Sequence, residues 1–136
     1  MNYIIHPSFP LKFMTDRHRI QQILINLLSN AIKYTNEGGI TVEASLQEET
    51  LFISVTDTGI GIESSELTHL FTPYTKIMNG RAMNKDGCGL GLTISQLLAN
   101  ALGGDIKVES ELGKGSTFTL VLRYFDEYSM EMQTFV

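Results

Sequence analysis

The sequence contains a single cysteine, Cys88, and no long uninterrupted apolar run. One cysteine excludes an internal disulfide bond and fits a reducing compartment. Without about 20 consecutive apolar residues, this segment is not expected to insert directly into a membrane, although a longer parent protein with an anchor elsewhere stays open. A net charge of −5 at pH 7 argues against non-specific nucleic-acid binding. We therefore expect a cytoplasmic segment that does not bind nucleic acid.

Several motifs that would identify a nucleotide or metal site directly are also missing. There is no GxxxxGK[ST] phosphate loop and no kinase-like glycine loop with its strand lysine. The histidines His6, His18 and His69 are scattered along the sequence, and their spacing from one another and from the cysteine is not that of a zinc site. The 136 residues are 43% hydrophobic and 18% charged, which is typical of one ordinary globular domain.

The most informative stretch runs from Asp16 to Thr35 and predicts one amphipathic helix with Asp16 as its N-cap. Asn26 and Asn30 lie one helical turn apart, close to the apolar stripe, and Lys33 follows by nearly another turn. The simpler explanation is that both asparagines face solvent. An unpartnered carboxamide near the apolar stripe is costly, however, and amide oxygens with a lysine suit magnesium and phosphate.

The alternation of apolar and polar residues predicts a sheet built from hairpins, with helices between them. Residues 1–10 are expected to be irregular because Pro7 and Pro10 interrupt any pattern, and residues 11–13 to form a short strand. A short helix should be capped by Ser64 or Ser65 and run through Leu70. The remaining predicted elements are strands at 40–47, 51–57, 105–111 and 116–122, and a helix from about Thr93 to Leu102.

Two glycine-containing stretches lie where these elements end or begin. Asp57 ends a strand and begins DTGIGI, whose glycines permit close approach of a ligand, although such an aspartate is more often a cap or turn residue. GCGLGL at 87–92 leads into a helix, and such an entry is equally a phosphate site or a tight turn. The polar loop 74–86 between them is typical of functional or disordered segments.

Taken together, the helix with Asn26, Asn30 and Lys33, then DTGIGI, LFTPYTK, GCGLGL and GKGSTF resemble the catalytic domain of histidine kinases. That domain belongs to the ATPase superfamily shared with type II topoisomerases, a heat-shock chaperone and mismatch-repair proteins. The resemblance implies a two-layer α/β (α+β) sandwich, the Bergerat ATP-binding fold, with a mixed, mainly antiparallel sheet and helices on one face. We expect residues 1–10 to be a linker, 11–122 the ATPase domain and 123–136 a tail or linker.

The resemblance also implies roles for individual residues around ATP. Asn30 would bind Mg²⁺, Asn26 would lie beside it and Lys33 would reach the phosphates, so these three residues would be catalytic. Asp57 would accept a hydrogen bond from the adenine amino group, with Ser116 adding a polar contact, and residues 72–88 would form the lid. The other residues expected to bind the nucleotide are Tyr34, Gly59, Gly61, Ile62, Phe71, Lys76, Arg81, Gly87, Gly89, Leu90, Gly91 and Leu92.

The same resemblance implies a kinase that is incomplete alone. Where the superfamily's hydrolases have a glutamate that activates water, this chain has Asn26, which cannot act as a general base. We expect Mg-ATP to be presented to a histidine on a separate dimerisation domain, in a two-component phosphorelay with a downstream response-regulator receiver domain. A non-catalytic ATP-binding sensor or adaptor and a ligand-free interaction module are the alternatives. Relatives often have glycine at the position of Asp86, and a small hydroxyl residue or glycine at the position of Cys88. The added carboxylate of Asp86 should weaken anion binding unless a cation screens it.

Overall fold

A computed structural model describes residues 1–10, 16–35, 37–71 and 91–124. The strands in that part of the chain are β1 (Asn2–Ile5), β2 (Ile40–Gln47), β3 (Thr50–Asp57), β4 (Asp105–Glu111) and β5 (Gly115–Arg123). The helices are α1 (Arg17–Tyr34), α2 (Ser64–Leu67) and α3 (Gly91–Ala101).

The five strands form one mixed sheet in the order β1-β2-β3-β5-β4. β1 runs parallel to β2, and every other neighbouring pair is antiparallel. On the central strand β3, Leu51, Ile53, Val55 and Asp57 are buried, whereas the residues between them are only partly buried. The predicted α/β sandwich with a mainly antiparallel sheet is confirmed, and the alternation places the carboxylate of Asp57 on the core side of the sheet.

Helix α1 forms where its pattern predicted. The Asp16 side chain accepts hydrogen bonds from the backbone amides of His18 and Arg19, at 3.0 and 3.2 Å, and so satisfies two free donors of the first turn. Its buried residues recur at three- and four-residue steps and pack into the core, namely Ile20, Ile23, Leu27 and Ala31. With that face packed on the core, Asn26 lies on the side of α1 next to α3 and bonds to it.

The prediction that residues 1–10 are irregular is wrong. Residues Asn2–Ile5 form β1, which pairs in parallel with β2 so that Tyr3 lies opposite Val42. The partner strand is distant in sequence, and the short exposed segment has no alternation of its own, so no local signal indicated the pairing. The strand predicted at 11–13 lies outside the described residues.

The two shorter helices differ from prediction at their ends. Glu63 occupies the N-cap position of α2 without a side-chain hydrogen bond, so neither Ser64 nor Ser65 is the cap. The helix ends at Leu67, and the chain continues in turns whose amides bond three residues back, as His69 does to Glu66. Helix α3 begins two residues earlier than predicted and ends before Gly103, whose φ of +78° favours glycine.

Within the described residues, no helix has both the length and the apolar character needed to cross a membrane. The core lies between α1, α3 and the sheet, and contains Leu51, Leu120 and Phe118 among its buried residues. The end of β3, the end of α1 and the β4–β5 turn meet at one border of this core.

Candidate nucleotide site

Asp57 is the buried carboxylate of this border. Its residue is only 5% exposed, and Oδ1 accepts a hydrogen bond of 2.9 Å from the backbone amide of Gly59. It lies directly opposite Ser116 on β5, which is also buried. Burial raises the pKa of Asp57 above its ordinary value of 3.8, whereas the amides of Gly59 and Ser116 and the hydroxyl of Thr35 lower it. A buried carboxylate of this kind is suited to accept a further hydrogen bond from a ligand.

The raised pKa of Asp57 predicts a pH dependence of stability. The folded chain holds this proton more tightly than the unfolded chain, so the stabilisation is complete below the unfolded pKa and is lost as pH rises through the folded pKa. Asp57→Asn removes this loss of stability with rising pH, because a carboxamide does not ionise. Urea unfolding across this pH range should therefore show the variant gaining stability relative to the unmodified chain as pH rises, and Glu109→Gln, at an exposed position on β4, is the control. If the difference in stability between Asp57→Asn and the unmodified chain does not change with pH, the raised pKa of Asp57 is contradicted.

The DTGIGI loop is held between α1 and the β4–β5 turn. The amide of Ile60 donates to the carbonyl of Tyr34 at 3.1 Å, and the amide of Gly113 donates to the carbonyl of Ile60 at 2.7 Å. A Cβ on Gly59 would stand 2.1 Å from the Tyr34 oxygen. Gly61 has a φ of +72°, and its Cβ would stand 2.0 Å from the oxygen of Glu111. Packing against neighbouring backbone therefore requires glycine at both positions.

Gly59→Ala is expected to destabilise the fold by about 2–4 kcal/mol, because the new methyl group meets the backbone of Tyr34. Gly39→Ala is the matched control, since nothing lies within 4 Å of the Cβ it would gain. Its effect should stay within about 0.5 kcal/mol. Chemical denaturation measures both, and equal stability of the two variants would contradict the close packing of Gly59.

Ser110, which the sequence did not single out, organises the hydroxyl of Ser116. Its Oγ donates to the carbonyl of Gly115 at 2.9 Å, accepts from the amide of Ile62 at 2.8 Å, and lies 2.7 Å from the Oγ of Ser116. Because the proton of Ser110 is committed to Gly115, the Ser116 hydroxyl donates to Ser110 and presents lone pairs to its other side. Asp57 and Ser116 are then two neighbouring acceptors, which suits the two hydrogens of an amino group.

Asn26 joins α1 to the start of α3. Its Nδ2 donates to the Oγ of Ser95 at 3.1 Å and to the carbonyl of Gly91 at 3.3 Å. Its Oδ1 accepts from Nε2 of Gln22 at 3.1 Å. The solvent-facing explanation is thus wrong for Asn26, since its carboxamide binds the first turn of α3, and the N-terminus of a helix suits an anion.

Asn26→Ala should lower the free energy of unfolding by about 1–2 kcal/mol, because the bonds to Gly91 and Ser95 are lost and Ser95 is fully buried. Asn100→Ala is the matched control, because Asn100 is exposed on α3 and its side chain accepts from Gln96. Thermal and urea unfolding of the two variants give the comparison. An Asn26 variant as stable as the control would show that the α1–α3 bonds contribute nothing.

Asn30 and Lys33 lie on α1 beyond Asn26 and are partly buried. In the part of the chain that the structure describes, the side chain of Asn30 makes no hydrogen bond and Lys33 forms no ion pair. Tyr34 packs partly buried against the core, and burial raises the pKa of its hydroxyl. The lysine also lies in the last turn of α1, where a cation is favourable whatever else it binds.

The other predicted site residues divide into two groups. Ile62 is a core residue, Phe71 and Leu92 are partly buried against the core, and the Phe71 carbonyl accepts from Oγ1 of Thr93 at 2.9 Å. Those outside the described residues are Lys76, Arg81, Gly87, Gly89 and Leu90, together with the lid at 72–88, Asp86 and Cys88.

This arrangement fits a purine nucleotide with an amino group on its base. The acceptors Asp57 and Ser116 lie opposite each other at this border, and Asn30, Lys33 and the first turn of α3 lie on the neighbouring helices. A ligand with a donor at one end and an anion at the other matches these groups.

Comparisons with known proteins identify the family of this chain. Residues 15–125 match the family model described as histidine kinase-, DNA gyrase B- and HSP90-like ATPase. The chain is 44% identical to Sensor histidine kinase RcsC of Salmonella typhimurium, covering 85% of this chain and 12% of that protein. It is 42% identical to Aerobic respiration control sensor protein ArcB of Escherichia coli, covering 90% and 16%.

A third curated relative, Hybrid signal transduction histidine kinase B of Dictyostelium discoideum, is 42% identical over 87% of this chain and 6% of its own length. The chain thus spans only 6–16% of the length of these curated relatives. Among solved structures, full-length ShkA in complex with AMPPNP has a TM-score of 0.76 and 33% identity, over 90% of this chain and 25% of that one. Mycobacterial sensor histidine kinase MprB shares the fold, with a TM-score of 0.78 and 22% identity over 90% and 83%.

Proposed function

Because the chain belongs to the family of histidine kinase-, DNA gyrase B- and HSP90-like ATPases, we propose that it presents Mg-ATP for phosphoryl transfer to a histidine on a separate domain. The observation that carries the proposal is Asp57, a buried carboxylate beside Gly59 at the end of the central strand. The similarity of 85–90% of the chain to part of hybrid signal transduction histidine kinase B, sensor histidine kinase RcsC and the sensor protein ArcB supports it.

The adenine amino group would donate to Asp57, with the Ser116 oxygen as the second acceptor. Ser110 supports this contact because it holds the Ser116 proton and leaves the oxygen free to accept. Gly59 and Gly61, which pack against the backbone of Tyr34 and Glu111, would let the base approach the loop. A guanine would place an oxygen where adenine has its amino group, opposite a carboxylate with no proton to donate.

The phosphates would lie along α1 and the start of α3. Lys33 supplies a positive charge on α1, and the amides at the start of α3, fixed by Asn26, supply donors. Magnesium, which Asn30 would bind, would neutralise part of the phosphate charge. The full-length ShkA structure, to which the chain is 33% identical, is a complex with AMPPNP, which supports nucleotide binding here.

Transfer to a histidine is favoured over hydrolysis. Asn26 holds α3 with its Nδ2 and accepts from Gln22 with its Oδ1, and a carboxamide cannot deprotonate water. Transfer needs only that the γ-phosphoryl group be positioned in line with the imidazole nitrogen while its P–O bond to ADP breaks. The acceptor domain and a response-regulator receiver domain are the partners we propose, in the cytoplasm.

Calorimetric titration of the chain with ATP, in magnesium and in EDTA, tests the proposal. The unmodified chain should bind more tightly with magnesium. Asn30→Ala should weaken binding several-fold in magnesium and little in EDTA, because one hard oxygen ligand is lost. Ser29→Ala, at the exposed neighbouring position on α1, is the control. Absence of binding would overturn the proposal, and equal binding by both variants in magnesium would overturn the metal role of Asn30.

A further inference from the structure

The hydroxyl of Thr35, at the C-terminal end of α1, is buried and has no hydrogen-bond partner among the described residues. An unpartnered buried hydroxyl costs folding free energy, because its bonds to water are lost and not replaced. Valine has the same shape and would avoid that cost. The extended backbone of Thr35, with φ −119° and ψ 101°, would also accept valine readily.

The position of this hydroxyl relates it to Asp57. Thr35 Oγ1 lies 2.9 Å from the point where a Cβ on Gly59 would stand, and the Gly59 amide donates to Oδ1 of Asp57. Burial raises the pKa of Asp57, and the hydroxyl of Thr35 is close enough to act against that shift, together with the amides of Gly59 and Ser116. The hydroxyl therefore lies on the α1 side of the carboxylate, near enough to interact with it but without forming a well-aligned hydrogen bond to it.

We propose that Thr35 is a positioning residue for base recognition, whose hydroxyl donates to the Asp57 carboxylate when that carboxylate accepts the amino group of adenine. The inference rests on the proposed function. Gly59 already fixes one oxygen of Asp57, and a donor from α1 fixes the orientation of the whole carboxylate without competing for the face that meets the base. The hydroxyl is then partnered in the bound state and unpartnered before it, so its cost is recovered on binding.

Binding of ATP and of purine riboside triphosphate, which lacks the amino group, tests this role. Thr35→Val should bind ATP about tenfold more weakly than the unmodified chain does. Its affinity for purine riboside triphosphate should equal that of the unmodified chain. Thr35→Ser should restore ATP binding to within about twofold, since it keeps the donor. The control is Thr56→Val, which removes a hydroxyl bonded to Thr117 and should leave both affinities unchanged.

Thermal unfolding without nucleotide gives a second readout, since Thr35→Val should be at least as stable as the unmodified chain. A loss of stability with equal weakening of both nucleotides would assign Thr35 a structural role and overturn the inference. Unchanged ATP affinity in Thr35→Val would overturn it while leaving the proposed function intact. Failure of the unmodified chain to bind ATP would overturn both.

Discussion

Asp57→Asn is expected to weaken ATP binding by about 2 kcal/mol, roughly 30-fold, because a charge-assisted hydrogen bond in a buried site becomes a neutral one. The carboxamide keeps the size of the side chain and an oxygen for the Gly59 amide. It loses the charge and turns one acceptor into a donor, which then faces the amino group of the base. The carboxylate of this residue is only slightly exposed, so solvent compensates little.

The same variant should be no less stable than the unmodified chain at neutral pH, since ionised Asp57 is costly to bury. Loss of binding without loss of stability would separate recognition from folding, and urea unfolding beside calorimetry measures both. Glu109→Gln, at an exposed position on β4, is the control for removal of a carboxylate and should bind ATP normally.

The unmodified chain should also prefer ATP to GTP strongly. A guanine oxygen would face the carboxylate of Asp57 and the oxygen of Ser116, and neither has a free proton to offer, because Ser116 donates to Ser110. Equal affinity for ATP and GTP would reject the role of Asp57. Equal affinity of the unmodified chain and Asp57→Asn for ATP would reject it as well.

Local pattern was sufficient to predict α1, β2 and β3, because the signals that define them lie within each segment. Asp16 caps α1 from its own first turn, and the apolar alternation of β3 determines which side of the sheet Asp57 faces. The parallel pairing of β1 depends on a strand far along the chain, and α2 ends in turns without a side-chain cap. Neither has a local signal that a sequence pattern could reveal.

The candidate site likewise contains some residues that the sequence indicated and others that it did not. Asp57, Gly59 and Gly61 were predicted from one motif, and the glycines prove to be required by their approach to Tyr34 and Glu111. Ser110 and Thr35 were missed because their roles arise from cross-strand register and from the contact of a helix end with a loop. An ordinary serine on a strand and a threonine after a helix give no warning of this, since both are common there.

Asn26 and Asn30 differ in their surroundings. The sequence placed Asn26 beside Asn30 as part of a single polar face, but its amide hydrogens bind the start of α3. The two asparagines should therefore differ in experiment. Replacing Asn26 should affect stability, whereas replacing Asn30, which has no hydrogen bond to a described residue, should affect the nucleotide and its metal.

The isolated chain should bind ATP, hydrolyse it very slowly and fail to label itself, yet phosphorylate a matched dimerisation domain supplied in trans. Slow hydrolysis follows from Asn26, whose carboxamide is bonded to Ser95 and Gln22 and cannot act as a base. Transfer should follow because positioning and charge neutralisation are all that the site must provide. Radiolabelled ATP with acid and alkali treatment of the product measures it, since phosphohistidine is acid-labile and alkali-stable.

Asn30→Ala should abolish this transfer, because loss of the proposed magnesium ligand would leave the γ-phosphoryl group both misplaced and unscreened. Ser29→Ala, at the neighbouring exposed position on α1, should transfer at the normal rate. ATP binding with no transfer to the matched domain would favour a non-catalytic sensor or adaptor. Rapid hydrolysis by the lone chain, or stable labelling of one of its own residues, would instead indicate a free-standing ATPase or an unrelated kinase.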